Sequence, residues 1–227
     1  MDEPSAHGPW GLVGESVVTL VARRGSVLGV IGEGLVSLSG PALVIAANYH
    51  MSPIGPFCEL SVLEPVRHGA RPGWSVTLSV VNDARARSGA RLSWGIDRGL
   101  GALVWRSDGA AASLSWEERG LIVAGERRRG AVPLSVSVRA LQRRGDGPVN
   151  VPLRLRGLAH RARVSVEVGA DDPLGVIAGV HRGVTVSGGL HISPAYRSCA
   201  AVPKALVAPL RHPEPGTPAP GLAHHGS

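Results

Sequence analysis

A chain of 227 residues with 44% hydrophobic content can bury a substantial core, and because only eight of its side chains are aromatic that core must be mostly Val, Leu, Ala and Ile. The two cysteines, Cys58 and Cys199, lack C-x-x-C spacing, which excludes a disulfide scaffold, a zinc centre and a dithiol redox pair and favours reduced thiols in the cytoplasm. The net charge of +7 suggests nucleic acid at first, but the arginines are scattered between strands without a helix-turn-helix, zinc or RNP-like pattern, so no nucleic-acid partner is expected.

Met1–Gly8 reads as a flexible arm whose acidic residues do not suit a signal peptide, and no apolar run in the chain reaches membrane-spanning length. No membrane partner is expected. Residues 9–200 then form one domain. Ser16–Ala22 is a strand with apolar residues on both faces, as in a closed or two-layered sheet. Gly25–Gly34, with four glycines, leaves helix or loop open. Leu43–Ala47 is a strand and Asn48–Gly55 a turn around Pro53.

Phe57–Leu63 alternates Phe57, Glu59, Ser61 and Leu63 against Cys58, Leu60 and Val62. A carboxylate among apolar neighbours on one strand face either points into a functional cavity or meets an arginine at the sheet rim. Val76–Val80 is a further strand. Val81–Trp105 follows as strand, irregular crossing and strand.

After Trp105 the strand candidates are Ala111–Trp116, Leu121–Ala124 and Val132–Arg139, with Arg127, Arg128 and Arg129 beside Gly130 in a turn between the last two. Arg139–Arg144 prolongs the strand or forms a basic loop, and Gly145–Pro148 is a strong turn signal. Val149–Leu155 and Ala162–Val168 read as a strand pair. Asp171, Asp172 and Pro173 start a short helix over Leu174–Val180, with an aspartate cap and proline in the first turn. Val184–Ile192 is the last strand, and residues 201–227 form a Pro-rich tail with the compositional signature of disorder. About ten short strands, two or three short helices and no βαβ rhythm give a mainly β, α+β architecture.

Two stretches carry a specific likeness. Gly55-Pro56-Phe57-Cys58-Glu59, together with Gly89-Ala90-Arg91-Leu92 and Trp94-Gly95-Ile96, resembles the acetoacetate decarboxylase family, in which a glycine, an aromatic and a glutamate precede a strand and a Gly-Arg-Glu segment leads to a Pro-Lys pair. The likeness runs from about Pro9 to about His191. It implies a cone-shaped β-barrel, or double sheet, with a few short helices around a largely apolar central cavity. It also implies that Glu59 belongs to a site.

The departure falls on the nucleophile. Where the family has proline and the Schiff-base lysine, this chain has Asp97 and Arg98, Gly99 follows in place of a second lysine, and Lys204 in the tail is the only lysine of the sequence. A guanidinium stays protonated at any relevant pH and cannot attack a carbonyl, but it can hold a carboxylate or polarise a ketone. The resemblance therefore implies a lyase-like protein that acts on or binds a small keto acid or related carbonyl compound without a Schiff base. Its alternative is a catalytically inactive barrel that binds a small molecule.

On that reading Glu59 and Arg98 are the catalytic candidates, and Phe57, Arg91, Trp94 and Asp97 the substrate-binding ones. The ligand is a small carbonyl or carboxylate compound, and assembly into a homo-oligomer is left open. No cofactor is implied. No metal is expected either, since the nine histidines show no H-E-x-x-H motif and no close pair outside the tail. Neither Gly14-Glu15-Ser16 nor Ser187-Gly188-Gly189 has the pattern of a nucleophile elbow.

Overall fold

The computed structural model describes residues 8–22, 31–145 and 147–197. Most of the expected arm, the glycine-rich stretch 23–30, Cys199, Lys204 and the Pro-rich tail lie outside these residues.

Twelve strands and one α-helix follow in the order β1 (Trp10–Val21), β2 (Val36–Ser37), β3 (Ala42–Met51), β4 (Phe57–His68), β5 (Arg71–Val81), α1 (Ala84–Trp94), β6 (Gly99–Leu100), β7 (Leu103–Ser107), β8 (Ala111–Trp116), β9 (Leu121–Arg144), β10 (Gly147–Glu167), β11 (Gly179–Ile192) and β12 (Tyr196–Arg197). The main path of hydrogen-bonded strands is β12-β10-β11-β1-β3-β4-β5-β9-β8-β7. Because β10 also pairs with β9 along almost its whole length, strands β10, β11, β1, β3, β4, β5 and β9 form a closed ring. Ring closure pairs most of the backbone edges of these seven strands, which is how a mainly β barrel shelters an alternating apolar pattern.

The ring is tightly closed everywhere except at β5 and β9. These two parallel strands meet at one position, Trp74 opposite Ala140, and the short β6 pairs with β5 further along, at Val80 and Val81. The crossing at Trp74 is close. A Cβ on Gly73 would stand 2.9 Å from Leu141 Cγ and 3.0 Å from the Arg139 carbonyl oxygen, so only glycine fits without displacement. Beyond this crossing β5 and β9 diverge.

Several expected boundaries were too short. The two segments at 121–124 and 132–139 are one strand, β9, and those at 149–155 and 162–168 are one strand, β10. Arg127–Arg129 lie inside β9 and not in a turn; Gly130, at φ 89°, marks a local irregularity matched by a register shift at His160/Ala162 on β10. Such a bulge lets two strands stay paired across a glycine that looks like a stop in sequence. The β9–β10 connection falls between Arg144 and its partner Gly147, inside the expected turn signal, whose Gly147 and Pro148 already belong to β10, and Asp172 caps the 3₁₀ turn Pro173–Ile177 by accepting from the Leu174 N–H at 2.8 Å.

The larger correction concerns Val81–Trp105. Its centre is not irregular but the helix α1. Asp83 at the N-cap accepts from the backbone N–H groups of Arg85 (2.7 Å) and Ala86 (3.3 Å), and Gly95 closes the other end in the left-handed conformation, at φ 69°. The buried positions Ala86, Gly89, Ala90, Ser93 and Trp94 recur at helical spacing, yet four of the five are too small to register as an apolar face.

Two apolar clusters fill the interior. One joins Val17, Val44, Leu60, Val62, Leu114, Leu121, Val123 and Val164; the other joins Trp10, Leu12, Tyr49, Phe57, Trp94, Val149 and Val151. In the second, the Trp10 ring stands edge-on to Trp94 with centroids 5.0 Å apart. The Trp94 indole N–H donates to the Ser193 carbonyl at 3.0 Å. Trp94→Ala should therefore destabilise the fold by about 3–5 kcal/mol in denaturant unfolding, with Trp94→Phe losing less.

Candidate functional site

Every residue of β4 from Phe57 to Glu64 is buried, so both faces of this strand look into the protein. Phe57 falls in one apolar cluster and Cys58, Leu60 and Val62 in the other, which puts Glu59 on the Phe57 side. Glu59 is 8% exposed and Arg98 3%.

The two meet. Arg98 Nη2 donates to both carboxylate oxygens of Glu59 at 3.1 Å, and Arg98 Nη1 donates to the Ala86 carbonyl in α1 at 3.4 Å. On the β4–β5 side Ser61 donates to Glu59 Oε1 at 2.6 Å, Ser79 lies 3.4 Å from the same oxygen, and the two serine hydroxyls are 3.0 Å apart. Among the described residues Oε2 receives a hydrogen bond only from Arg98. That oxygen keeps a free lone pair, and it is the atom of the pair best able to accept or pass a proton. The pair lies in the interior and not at the sheet rim. Burying both charges costs several kcal/mol per ion, offset only where attraction and additional hydrogen bonds are well arranged, as the two serines and Ala86 arrange them here.

Position 98 is delivered by α1 and its cap. The left-handed Gly95 turns the chain back towards the barrel, and it packs directly on β9: a Cβ there would come 2.1 Å from the Arg143 carbonyl oxygen. Arg144 fastens the same seam by donating to the Ser93 carbonyl at 3.0 Å. The helix end, and with it Arg98, is thus held between β4 and β9.

A cavity of about 530 Å³ opens where β5 and β9 diverge. Arg98, Ser79, Gly99, Trp116 and Gln142 line it, with Arg87 and Asp97 at its exposed side. The other expected site residues lie elsewhere. Phe57 and Trp94 are fully packed in the core with Trp10, and Arg91 is exposed on α1. Neither Phe57, Trp94 nor Arg91 lines the cavity, and Glu59 adjoins it only through Arg98.

The structure adds residues that the sequence did not single out as site residues. Ser61 shares the Glu59 face by alternation, but Ser79 and Gln142 carry no recognisable signal. Tyr49 sits opposite Phe57 in the β3–β4 ladder with ring centroids 5.0 Å apart, and burial, then the Glu59 carboxylate, push its phenol well above the ordinary tyrosine value, with Arg98 pulling the other way. Cys58 faces away from Glu59, its thiol 3.6 Å from Asn48 Oδ1, and burial pushes its pKa up, so it lacks the thiolate character of a nucleophile. Among the described residues no group of three His, Cys, Asp or Glu side chains could hold a metal, and no helix is long and apolar enough to cross a membrane.

Removing one partner of the buried pair leaves the other uncompensated. Arg98→Met or Glu59→Leu alone should cost about 3–5 kcal/mol in denaturant unfolding, whereas the double change should recover most of the loss. Gly95→Ala should also unfold at distinctly lower denaturant, because the new Cβ has no room against β9 and the left-handed turn disfavours it.

No protein-family model and no curated protein matches the chain. Solved structures do resemble it. An acetoacetate decarboxylase from Legionella pneumophila superposes with a TM-score of 0.62 at 16% identity, covering 83% of this chain and 86% of its own. The enduracididine biosynthesis enzyme MppR, complexed with pyruvate, gives 0.58 at 15% identity over 84% and 90% of the two chains. An acetoacetate decarboxylase-like enzyme from Sphingomonas wittichii RW1 gives 0.59 at 14% identity over 87% and 94%. Across four-fifths or more of its length, the chain has the acetoacetate decarboxylase-like fold.

Proposed function

We propose that this protein is a divergent member of the acetoacetate decarboxylase family that binds or acts on a small keto acid or related carbonyl compound without forming a Schiff base. The observation that carries the reading is the buried Arg98, which lines a cavity and is ion-paired with Glu59 behind it, in the position where the sequence resemblance expects the nucleophilic lysine. Pyruvate bound to a protein of this fold supports the ligand class.

In Schiff-base decarboxylation a lysine amine, kept unprotonated by desolvation and a neighbouring cation, forms an iminium that receives the electron pair released with carbon dioxide; acetoacetate decarboxylase is the standard example of that activation. Arg98 cannot do this, since it holds its proton at every accessible pH. It can fix a carboxylate or polarise a ketone oxygen, while Glu59, which does not line the cavity itself, orients the guanidinium from behind and would serve as acid or base only if a ligand reached past Arg98 to its Oε2.

A catalytically inactive binding barrel is the second reading. It is favoured by the fact that Arg98 Nη2 spends its hydrogen-bonding on Glu59, so that the pair can serve as a fixed wall and not as an acid and a base.

Incubation with acetoacetate, followed by carbon dioxide measurement and borohydride reduction, tests both. We expect no reducible adduct on the native chain. Turnover without an adduct supports the first reading, ligand binding without turnover supports the second, and a stoichiometric adduct on Lys204 overturns both.

Arg98→Lys should create a reducible imine with acetoacetate near pH 9, with slow carbon dioxide release, because burial favours the free amine while the adjacent Glu59 carboxylate opposes it. Adding Gly99→Lys should accelerate it through a second cation. There is room for that side chain, since a Cβ on Gly99 would meet Val80 Cγ2 at 3.5 Å and the Ser79 carbonyl at 3.8 Å, both ordinary contacts. Absence of an adduct in the folded single and double variants would mean that position 98 does not address the ligand.

A further inference from the structure

Gln142 occupies an unusual place for an amide. It lies near the end of β9, 5% exposed, next to Ala140 and Leu141, which are 1% and 0% exposed. Its Nε2 has no hydrogen-bond partner among the described residues. A buried amide left unpaired costs free energy that an apolar side chain of the same size would not, so a position of this kind calls for an explanation.

The cavity supplies one. Gln142 lines the same space as Arg98, and the Nε of Arg98 is likewise a buried donor without a partner among the described residues. The α1 cap brings these two residues to one cavity: Gly95 packs on the Arg143 carbonyl and Arg144 reaches the Ser93 carbonyl, which fixes the β9 backbone immediately after Gln142 relative to the Gly95–Gly99 crossing. The remaining charged groups on the cavity are Arg87 and Asp97, which oppose each other, and Arg143, which is ion-paired with Glu33, so it is the two unpaired N–H donors and not a net charge that call for an acceptor oxygen.

We propose that Gln142 is a ligand-recognition residue of this cavity, its amide donating to an acceptor oxygen of the bound molecule from the β9 wall while Arg98 addresses it from the α1–β6 crossing. The inference rests on the reading that the cavity takes small keto acids. It adds a side chain that selects by hydrogen bonding, because a site with two unpaired buried donors rejects an analogue lacking the oxygen that satisfies them.

The test uses the full chain with pyruvate and acetoacetate as probes, binding measured by calorimetry and stability by thermal unfolding. Gln142→Met keeps the volume and removes the amide. Its affinity for the bound probe should fall about tenfold, the loss of one hydrogen bond to a charged acceptor, while its melting temperature should stay equal or rise by about 2–4 °C because the unpaired group is gone. Gln142→Glu should lose binding altogether through like-charge repulsion with a carboxylate. Unchanged affinity in Gln142→Met, or a lowered melting temperature, overturns the proposal and assigns the amide a structural role, leaving the cavity reading intact. Failure of the native chain to bind either probe overturns the cavity reading itself, and the role of Gln142 with it.

Discussion

The contact between Glu59 and Arg98 ties together parts of the chain that share no ladder. Glu59 sits in the middle of a strand buried on both faces, Arg98 in the crossing that follows α1, and the bond between them holds that crossing against the barrel wall. Two charges taken out of water are costly unless each finds polar company. Here Ser61, Ser79 and the Ala86 carbonyl supply it, one hydroxyl from β4, one from β5 and one carbonyl from the helix. The pair therefore acts as a registry device as well as a chemical feature: strand, neighbouring strand and helix must all be in place before the charges are compensated.

The second constraint is steric. Gly73 lets β5 and β9 cross in close contact, and Gly95 lets the end of α1 lie directly on β9. Past the first crossing the two strands separate, and the space between them becomes the cavity that Arg98 and Gln142 share. A barrel closed by full ladders on every side would have had no such opening. The incomplete seam is what gives the site access.

Chemically, an arginine and a lysine at position 98 are opposites. Both are cations, but the lysine can give up its proton when desolvated and the arginine cannot. The same buried location that would activate an amine instead produces a permanent, directional charge. The apolar surroundings strengthen that charge's hold on any anion, since there is little water to compete. On the function proposed above, an arginine at this position suits recognition of an anion and not covalent catalysis.

Strand alternation, the punctuation at Gly145–Pro148 and Asp171–Pro173, and the absence of βαβ rhythm were enough to give a mainly β architecture, because period-two burial and turn residues act locally, while the barrel was implied by the family resemblance. The same alternation put Glu59 on an apolar face, and the motif around it pointed to position 98. What the chain order alone left hidden were features made by distant contacts. The helix α1 buries Ala86, Gly89, Ala90 and Ser93, whose small side chains carry almost no hydrophobic signal, and only packing against the barrel shows why they are small. Strands β9 and β10 run through apparent stops because pairing along twenty residues outweighs a local glycine or bulge. Trp94, which motif position suggested as a ligand contact, is turned into the core by Trp10 and Ser193. Ser79 joins the site through the β4–β5 pairing, 20 positions from Glu59, and Gln142 through the spread of β5 from β9, and no local pattern marks residues whose neighbours are so distant in the chain. Local periodicity determined the elements, while the tertiary structure decided which polar side chains would be buried together.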